Sequence, residues 1–159
     1  MKIVKGVYRK HFDQISEWAV YFEHIMNVRT FATYNYYNSN LSISYLLMDD
    51  EENVVGAYLL AKNQINHFYK GVEKFENLYG VEGILLFIKE EYRGLGWGEK
   101  LKDKPKEMGF DYVWGRQHKK LNNLHHWLKR RELIFEKERE YVTAQIFISE
   151  SEIAKKNVV

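Results

Sequence analysis

Residues 83–98 join an uninterrupted apolar run to a cluster of glycines, and this junction limits the folds that the chain can adopt. The run GILLFI is followed by KEEYRGLGWG, in which glycine occupies positions 94, 96 and 98. A continuous apolar run is typical of a buried central strand. Clustered glycines mark a tight turn or the approach of a ligand to bare backbone, because glycine costs conformational entropy on folding. We therefore expect a strand, a sharp turn and a helix.

The glycine spacing excludes two common phosphate-binding motifs. A dinucleotide fingerprint needs its third glycine one place later, where Glu99 stands, and the chain has no Gly-Lys pair followed by Ser or Thr. What remains is a turn whose unsatisfied N–H groups and positive helix end favour an anion. The spacing favours a phosphate-binding turn, and a tight turn without a ligand is the alternative.

Elsewhere the pattern predicts a mixed α/β sheet in which strands and helices alternate. The expected strands are residues 2–9, the hairpin of SISYLLM and NVVGAYLLA around the turn DDEEN, VEGILLFI, DYVWGRQH, and a closing hairpin in IFEKEREYVTAQIFI that turns near Lys137 to Glu140. The expected helices begin at Phe12, cover residues 97–108 and cover NNLHHWLKRRE. Gly109 should close the middle helix, and Pro105 should kink it or end it early. Residues 29–40 predict a loop or short helix, and residues 62–80 a loop with a short element.

Composition and charge exclude several classes of protein. The 159 residues contain no cysteine, so a disulfide framework, a thiol nucleophile and a cysteine-based metal site are excluded. His125 and His126 are adjacent and would point apart on a helix, so we expect no metal. The net charge of +2 does not favour nucleic-acid binding. The start MKIVKGVYRK has no apolar signal core, and no apolar run approaches ~18 residues. These features predict a cytoplasmic protein without a membrane partner.

The stretch ILLFIKEEYRGLGWGEKL resembles the central motif of the Gcn5-related N-acetyltransferases (GNAT superfamily). In that motif an apolar strand leads to Arg or Gln, two residues, Gly, one residue, and Gly or Ala; here these are Arg93, Gly96 and Gly98, with Tyr92 and Gly94 also typical. Two features depart from the family, because Glu90 replaces a common proline and KRRELIF replaces a later Tyr and Gly-Phe pair.

The resemblance covers the chain from Lys2 to about Ser149. It implies an α/β fold with a single mixed, mostly antiparallel sheet of about six to seven strands, flanked by helices and splayed between strands four and five. One domain would span residues 1–159, with residues 150–159 as a loose tail.

The resemblance also implies binding of acetyl-coenzyme A. The pyrophosphate would lie on the backbone N–H groups of Arg93, Gly94, Leu95, Gly96, Trp97 and Gly98. The pantetheine arm would run as a false strand beside the main chain of Leu86, Phe87 and Ile88. Asn122 or Asn123 would contact the pantetheine or would cap the following helix. Lys100, Lys102 and Lys104 would attract the coenzyme phosphates or form a solvated helix face.

For acetyl transfer, the family pattern assigns an oxyanion donor and a base. The backbone N–H of Leu86 would polarise the thioester carbonyl. Glu82 stands six residues before Ile88, where the histone acetyltransferase branch carries its catalytic glutamate, and is therefore the candidate base. The alternative for Glu82 is an exposed residue at the start of the strand. His118 is a second candidate base.

The family's usual proton donor is missing. The place of the family tyrosine falls on Lys129 or Arg130, and either cation would stabilise the departing thiolate. The sequence therefore assigns no general acid.

The acceptor is expected to be the amine of a small molecule or a protein. An aromatic and acidic surface of Tyr34, Tyr36, Tyr37, Phe68, Glu136, Glu138 and Glu140 would suit a cationic amine, although a solvated edge hairpin explains the glutamates equally simply. A coenzyme A-binding sensor or scaffold without catalysis is an alternative. A nucleic-acid-directed member is another, suggested by the basic helix KKLNNLHHWLKRR. The protein is expected to be a monomer or a homodimer.

Overall fold

Seven strands and two short helices follow one another along the described chain. The computed structural model describes residues 1–6, 17, 42–118, 131–138 and 142–149. The strands are β1 (Lys2–Lys5), β2 (Ser42–Met48), β3 (Val54–Ala61), β4 (Gly80–Ile88), β5 (Tyr112–His118), β6 (Arg131–Glu138) and β7 (Val142–Ser149). The helices are α1 (Trp97–Lys102) and α2 (Lys104–Glu107), with 3₁₀ helices at Ile65–His67, Glu73–Phe75 and Glu90–Tyr92.

The described residues form two compact units, and neither is continuous in sequence. The first unit takes its described residues from Met1–Ala61 and Ile84–Lys102, and the second takes them from Lys62–Gly83 and from Asp103 onward. Strand β4 contributes its first half to the second unit and its second half to the first. The single domain expected over residues 1–159 therefore stays a prediction.

Strand order agrees with the expected mixed, mostly antiparallel sheet. The hydrogen-bonded order is β1-β2-β3-β4 in the first unit and β4-β5-β7-β6 in the second. The pairs β1–β2, β2–β3, β5–β7 and β6–β7 are antiparallel, whereas β4–β5 is parallel. The β4–β5 register runs from Gly80↔Tyr112 to Gly83↔Gly115 and so covers only the start of β4. This short ladder agrees with the predicted separation of strands four and five.

The predicted hairpin of β2 and β3 is confirmed, and Asp49 organises its turn. The Asp49 carboxylate accepts hydrogen bonds from the N–H groups of Glu51 at 2.9 Å and Asn53 at 2.8 Å, and from the Asn53 side chain at 3.1 Å. The donors of Asn53 lower the pKa of Asp49 below its ordinary value, because they favour the charged carboxylate. Glu52 completes the turn with a φ of 64°.

The helical segment after the glycines breaks where proline was expected to break it. Helix α1 ends at Lys102, and α2 begins at Lys104 with Pro105 in its first turn, where the missing N–H costs nothing. Gly109 adopts a φ of 89° and closes α2. The N–H of Gly109 donates to the Lys106 carbonyl at 2.9 Å and that of Phe110 to the Pro105 carbonyl at 3.1 Å, a Schellman pattern.

Other expected elements agree in part or require correction. Strand β1 is observed over Lys2–Lys5, and the 3₁₀ helices confirm short elements within residues 62–80. The sequence prediction that helix NNLHHWLKRRE continues to Glu132 is wrong, because Arg131 and Glu132 pair with Ser149 and Ile148 in the β6–β7 ladder. Lys137 and Glu138 likewise belong to β6 rather than to the turn. The helix from Phe12, the region 29–40, residues 119–130 and the tail 150–159 lie outside the described residues.

Each unit has its own apolar cluster. In the first unit the buried members come from β2 and β3: Leu46, Met48, Val54, Ala57 and Leu59. Partly buried residues of β1 and β4 pack against them: Val4, Ile84, Leu85 and Phe87. In the second unit the cluster joins the 62–80 segment to β5: Ile65, Tyr69, Val72, Phe75, Tyr112 and Trp114, with Leu78 against it. No helix within the described ranges has the length and apolar character needed to cross a membrane.

We predict that Gly80→Ala destabilises the protein by about 1–3 kcal/mol, the usual cost of overpacking a core. A Cβ at Gly80 would overlap the Tyr112 ring, which lies directly against this glycine in the β4–β5 ladder. Gly98→Ala is the matched control, because its Cβ would meet only Ile88 Cδ1 at 3.6 Å and alanine favours a helix by about 1 kcal/mol or less. Urea unfolding of both variants measures the difference, and a Gly80→Ala protein as stable as the wild type would contradict this packing.

Candidate functional site

The glycine turn after β4 is built from alternating left-handed glycines. The 3₁₀ helix Glu90–Tyr92 leads into an extended Arg93, with φ −77° and ψ 158°. Gly94 and Gly96 then adopt φ values of 76° and 88°, a conformation that favours glycine over residues with a Cβ. Helix α1 follows at Trp97. The predicted strand, turn and helix are therefore present.

Five consecutive backbone N–H groups of this turn are without a protein acceptor among the described residues. The N–H of Arg93 donates to the Glu90 carbonyl at 3.1 Å, and the N–H of Lys100 donates to the Gly96 carbonyl at 3.2 Å. The N–H groups of the five residues from Gly94 to Gly98 donate to no protein acceptor among the described residues. A Cβ built at Gly94 or Gly96 would meet nothing within 4 Å. Successive amides of this kind form a concave site for an anion.

The side chain of Arg93 holds the turn against the end of β4. Its Nε donates to the Ile88 carbonyl at 2.6 Å, and its guanidinium lies 5.4 Å from the centre of the Phe87 ring. The positive charge of Arg93 therefore stays at the turn. Because the backbone N–H of Arg93 is already bonded, the amides that the turn offers begin at Gly94 and not at Arg93.

The three lysines after the turn have different surroundings. Lys100 is exposed and places its Nζ 4.3 Å from the centre of the Trp97 ring. Lys102 is buried and pairs with Glu99 at 2.7 Å, and Lys104 pairs with Glu107 at 2.9 Å. The alternative of a uniformly solvated lysine face is therefore wrong for Lys102.

The second half of β4 is half-buried rather than fully buried. Gly80 to Glu82 are buried, whereas Gly83 to Ile88 keep part of their surface exposed. On the β3 side the approach is close, since a Cβ at Gly56 would lie 3.0 Å from the Phe87 carbonyl oxygen. The N–H of Lys89 also donates to the Val55 carbonyl at 2.9 Å. Leu86, Phe87 and Ile88 therefore stand on a strand whose position is fixed within the first unit.

Glu82 is a buried carboxylate, so the alternative of an exposed residue at the start of the strand is wrong. Its exposed fraction is 1%, and its Oε1 accepts a hydrogen bond from the Asn63 side-chain Nδ2 at 2.9 Å. In the β4–β5 ladder it stands opposite the fully buried Trp114. Burial of a carboxylate costs free energy unless hydrogen bonds replace its contacts with water, and the bond from Asn63 is one such replacement.

Two polar residues that sequence reasoning did not select, Asn63 and Gln64, hold this region together. The carbonyl of Asn63 accepts a hydrogen bond from the Trp114 indole Nε1 at 2.8 Å. The Gln64 amide donates to the Gly80 carbonyl and accepts from the Gly80 N–H, both at 2.8 Å. The available signal was a pair of amide residues, NQ, separated by only Lys62 from the end of the apolar strand VVGAYLLA.

The Tyr112 hydroxyl lies inside the same hydrogen-bonded group. It accepts from the N–H of Ile65 at 3.2 Å and donates to Gln64 Oε1 at 3.4 Å. Burial raises the pKa of Tyr112 above its ordinary value, and the charge of Asp111 acts in the same direction. The phenol therefore keeps its proton in the folded protein to a higher pH than a free tyrosine does.

The remaining candidates are only partly within the described structure. Phe68 is 44% exposed, and its ring centre lies 5.6 Å from that of Trp114. His118 ends β5, while Glu136 and Glu138 belong to β6. Outside the described residues lie Tyr34, Tyr36, Tyr37, Asn122, Asn123, His125, His126, Lys129, Arg130 and Glu140. Within the described ranges, no group of three or more His, Asp or Glu side chains is arranged to hold a metal ion.

Comparison by sequence gives no relative, since no family model and no curated protein matches the chain. Comparison by structure does find solved proteins of similar fold.

An acetyltransferase of the GNAT family from Staphylococcus aureus Mu50 is 17% identical, with a TM-score of 0.62 over 94% of this chain and 100% of its own. FeeM, an N-acyl amino acid synthase from uncultured soil microbes, is 11% identical, with a TM-score of 0.65 over 99% of this chain and 96% of its own. NAA60 from Arabidopsis thaliana, in complex with a bisubstrate analogue, is 14% identical, with a TM-score of 0.59 over 92% and 97%. At these low sequence identities, the structural similarity shows that the chain shares the fold of these proteins, and no more.

We predict that Tyr112→Phe removes part of the loss of stability at alkaline pH. The folded state raises the pKa of Tyr112. The free energy of unfolding that the protonated phenol contributes is therefore complete below the pKa of about 10 in the unfolded chain, and it is lost as the pH rises through the higher pKa in the folded protein. At neutral pH the variant should lose about 1 kcal/mol, since the Ile65 N–H loses its acceptor.

Urea midpoints at neutral and alkaline pH provide the measurement. Tyr79→Phe changes an exposed tyrosine of the second unit and should keep the wild-type alkaline loss. An alkaline loss in Tyr112→Phe as large as in the wild type would refute this assignment.

Proposed function

Because the chain has the fold of the Gcn5-related N-acetyltransferases, we propose that it transfers the acetyl group of acetyl-coenzyme A directly to a primary amine. The observation that carries the proposal is the row of five N–H groups from Gly94 to Gly98 that have no acceptor among the described residues. A turn that leaves so many amides unsatisfied is suited to an anion with several oxygens, as a pyrophosphate has.

Features of the glycine turn and of the end of β4 support the binding of the coenzyme. The missing Cβ atoms of Gly94 and Gly96 let a pyrophosphate come down onto the backbone, and the exposed cations Arg93 and Lys100 lie at either end of the turn. The half-buried main chain of Leu86, Phe87 and Ile88 would take the pantetheine arm. The N–H of Leu86 would then stabilise the negative charge that develops on the thioester oxygen.

Glu82 is the proposed base. In the proposed reaction the acceptor nitrogen attacks the thioester carbon, the carbon–sulfur bond breaks, and the sulfur leaves with its electron pair as the coenzyme A thiolate. The proton released by the amine passes to the carboxylate of Glu82. Lys129 and Arg130 would stabilise the departing thiolate by charge; both lie outside the described residues.

The proposed substrate class is a primary amine on a small molecule or a protein. Phe68 offers an exposed ring next to Trp114 in the unit that contains Glu82, which suits the carbon chain of such an amine. Turnover of a panel made of spermidine, a peptide with a free N-terminal amine and a peptide with an internal lysine distinguishes an enzyme from a coenzyme-binding protein without activity.

We predict that Gly96→Asp abolishes binding of acetyl-coenzyme A while the protein stays folded. Aspartate adds a side chain and a negative charge where the pyrophosphate is proposed to lie. Gly71→Asp is the matched control, because Gly71 is also exposed, has a φ of 86° against 88° for Gly96, and has nothing within 4 Å of its Cβ position. Titration calorimetry with acetyl-coenzyme A measures both variants.

The control separates charge at the turn from backbone strain. Both variants should lose similar stability, because both force a non-glycine residue into the left-handed region. Equal acetyl-coenzyme A affinity in Gly96→Asp and the wild type would exclude the turn as the pyrophosphate site.

We predict that Glu82→Gln lowers turnover roughly 10²-fold at neutral pH, because the amide keeps the size of the side chain but accepts no proton. The hydrogen bond from Asn63 to the Oε1 position is retained, so the affinity for acetyl-coenzyme A should stay at the wild-type value. Glu76→Gln, at an exposed position of the second unit, is the control and should have wild-type turnover. If Glu82→Gln also reacts at the wild-type rate, the base is another group, with His118 the next candidate.

A further inference from the structure

We propose that Asn63 is a positioning residue that holds the Glu82 carboxylate in the orientation needed to receive the proton of the acceptor amine. This inference rests on the proposed role of Glu82 as the base. The contact that carries it is the hydrogen bond from Asn63 Nδ2 to Glu82 Oε1, 2.9 Å long.

A buried carboxylate needs hydrogen-bond donors, and Asn63 is one of them. Glu82 is 1% exposed, so solvent does little to orient or stabilise its carboxylate. An amide N–H is a neutral donor that does not titrate in the working range of an enzyme. Asn63 therefore orients one carboxylate oxygen without competing for the proton that the carboxylate is proposed to receive.

The position of Asn63 is itself fixed by the element that stands opposite Glu82. Trp114 is fully buried, is the register partner of Glu82 in the β4–β5 ladder, and donates its indole N–H to the Asn63 carbonyl at 2.8 Å. The backbone and the side chain of Asn63 thus bind two residues that face each other in one ladder.

The next residue fastens the same segment to the same strand. Gln64 exchanges two hydrogen bonds of 2.8 Å with the backbone of Gly80, two positions before Glu82 on β4. Gln64 therefore replaces a strand partner at the beginning of β4, and it brings Asn63 to the level of Glu82. A rigid support of this kind is what a proton acceptor requires, because small errors of placement lower the rate steeply.

The test compares Asn63→Ala with the wild type in acetyl transfer from acetyl-coenzyme A to the best acceptor of the spermidine and peptide panel. We expect kcat to fall roughly 10- to 100-fold while the KM for acetyl-coenzyme A stays unchanged. Asn77→Ala makes the same change at an exposed position of the second unit and should behave as the wild type.

A double-mutant cycle with Glu82→Gln separates positioning from a general loss of structure. If Asn63 acts through Glu82, Asn63→Ala should have almost no further effect on kcat in the Glu82→Gln background. A merely structural role would give the same loss of kcat in both backgrounds. Should Asn63→Ala unfold, Asn63→Leu decides, because leucine keeps about the size of the side chain, removes the donor and adds no charge beside Glu82.

The outcomes for this inference and for the proposed function differ. If the wild-type protein transfers acetyl groups and the Asn63→Ala and Asn63→Leu variants keep its kcat, the role of Asn63 alone is overturned. A wild-type protein that transfers no acetyl group to any member of the panel overturns the proposed function and the role of Asn63 together.

Discussion

Hydrogen bonding along β4 is the constraint on which both compact units depend. In the second unit the strand begins with Gly80 enclosed by the Gln64 amide and the Tyr112 ring, and it continues into the ladder with β5. In the first unit its second half approaches β3 closely at Gly56, and the following Lys89 bonds to Val55. Glycine is needed at positions 56 and 80, because a Cβ there would meet the Phe87 carbonyl oxygen or the Tyr112 ring.

The same strand connects the packing to the proposed chemistry. Its first half carries the buried Glu82, its second half carries the half-buried Leu86 to Ile88, and the glycine turn follows at once. Arg93 returns from that turn to bond the last carbonyl of the strand at Ile88, so the geometry of the turn is tied to the end of β4. The proposed base, oxyanion donor and pyrophosphate amides therefore lie within the 17 consecutive residues from Glu82 to Gly98.

Features that depend on neighbouring residues were predictable from the sequence, and those that depend on distant partners were not. The turn at Asp49, the helix break before Pro105 and the glycine turn follow from local backbone preferences. The hydrogen-bond partners around Glu82 were not predictable, because the bond from Asn63 spans 19 positions and the bond from Trp114 to Asn63 spans 51 positions. The helix was extended wrongly to Glu132 because pairing with β7, which local propensity does not reveal, makes Arg131 and Glu132 part of a strand.

The most direct test of the account is the effect of coenzyme A on the backbone amide signals of ¹⁵N-labelled protein. If the pyrophosphate lies on the turn, the N–H resonances of Gly94 to Gly98 should shift together and saturate at one dissociation constant. The resonances of Gly71 and Gly109, which also have positive φ values, should stay in place. Saturable shifts that leave Gly94 to Gly98 unchanged, or no shift at any residue, would contradict the account.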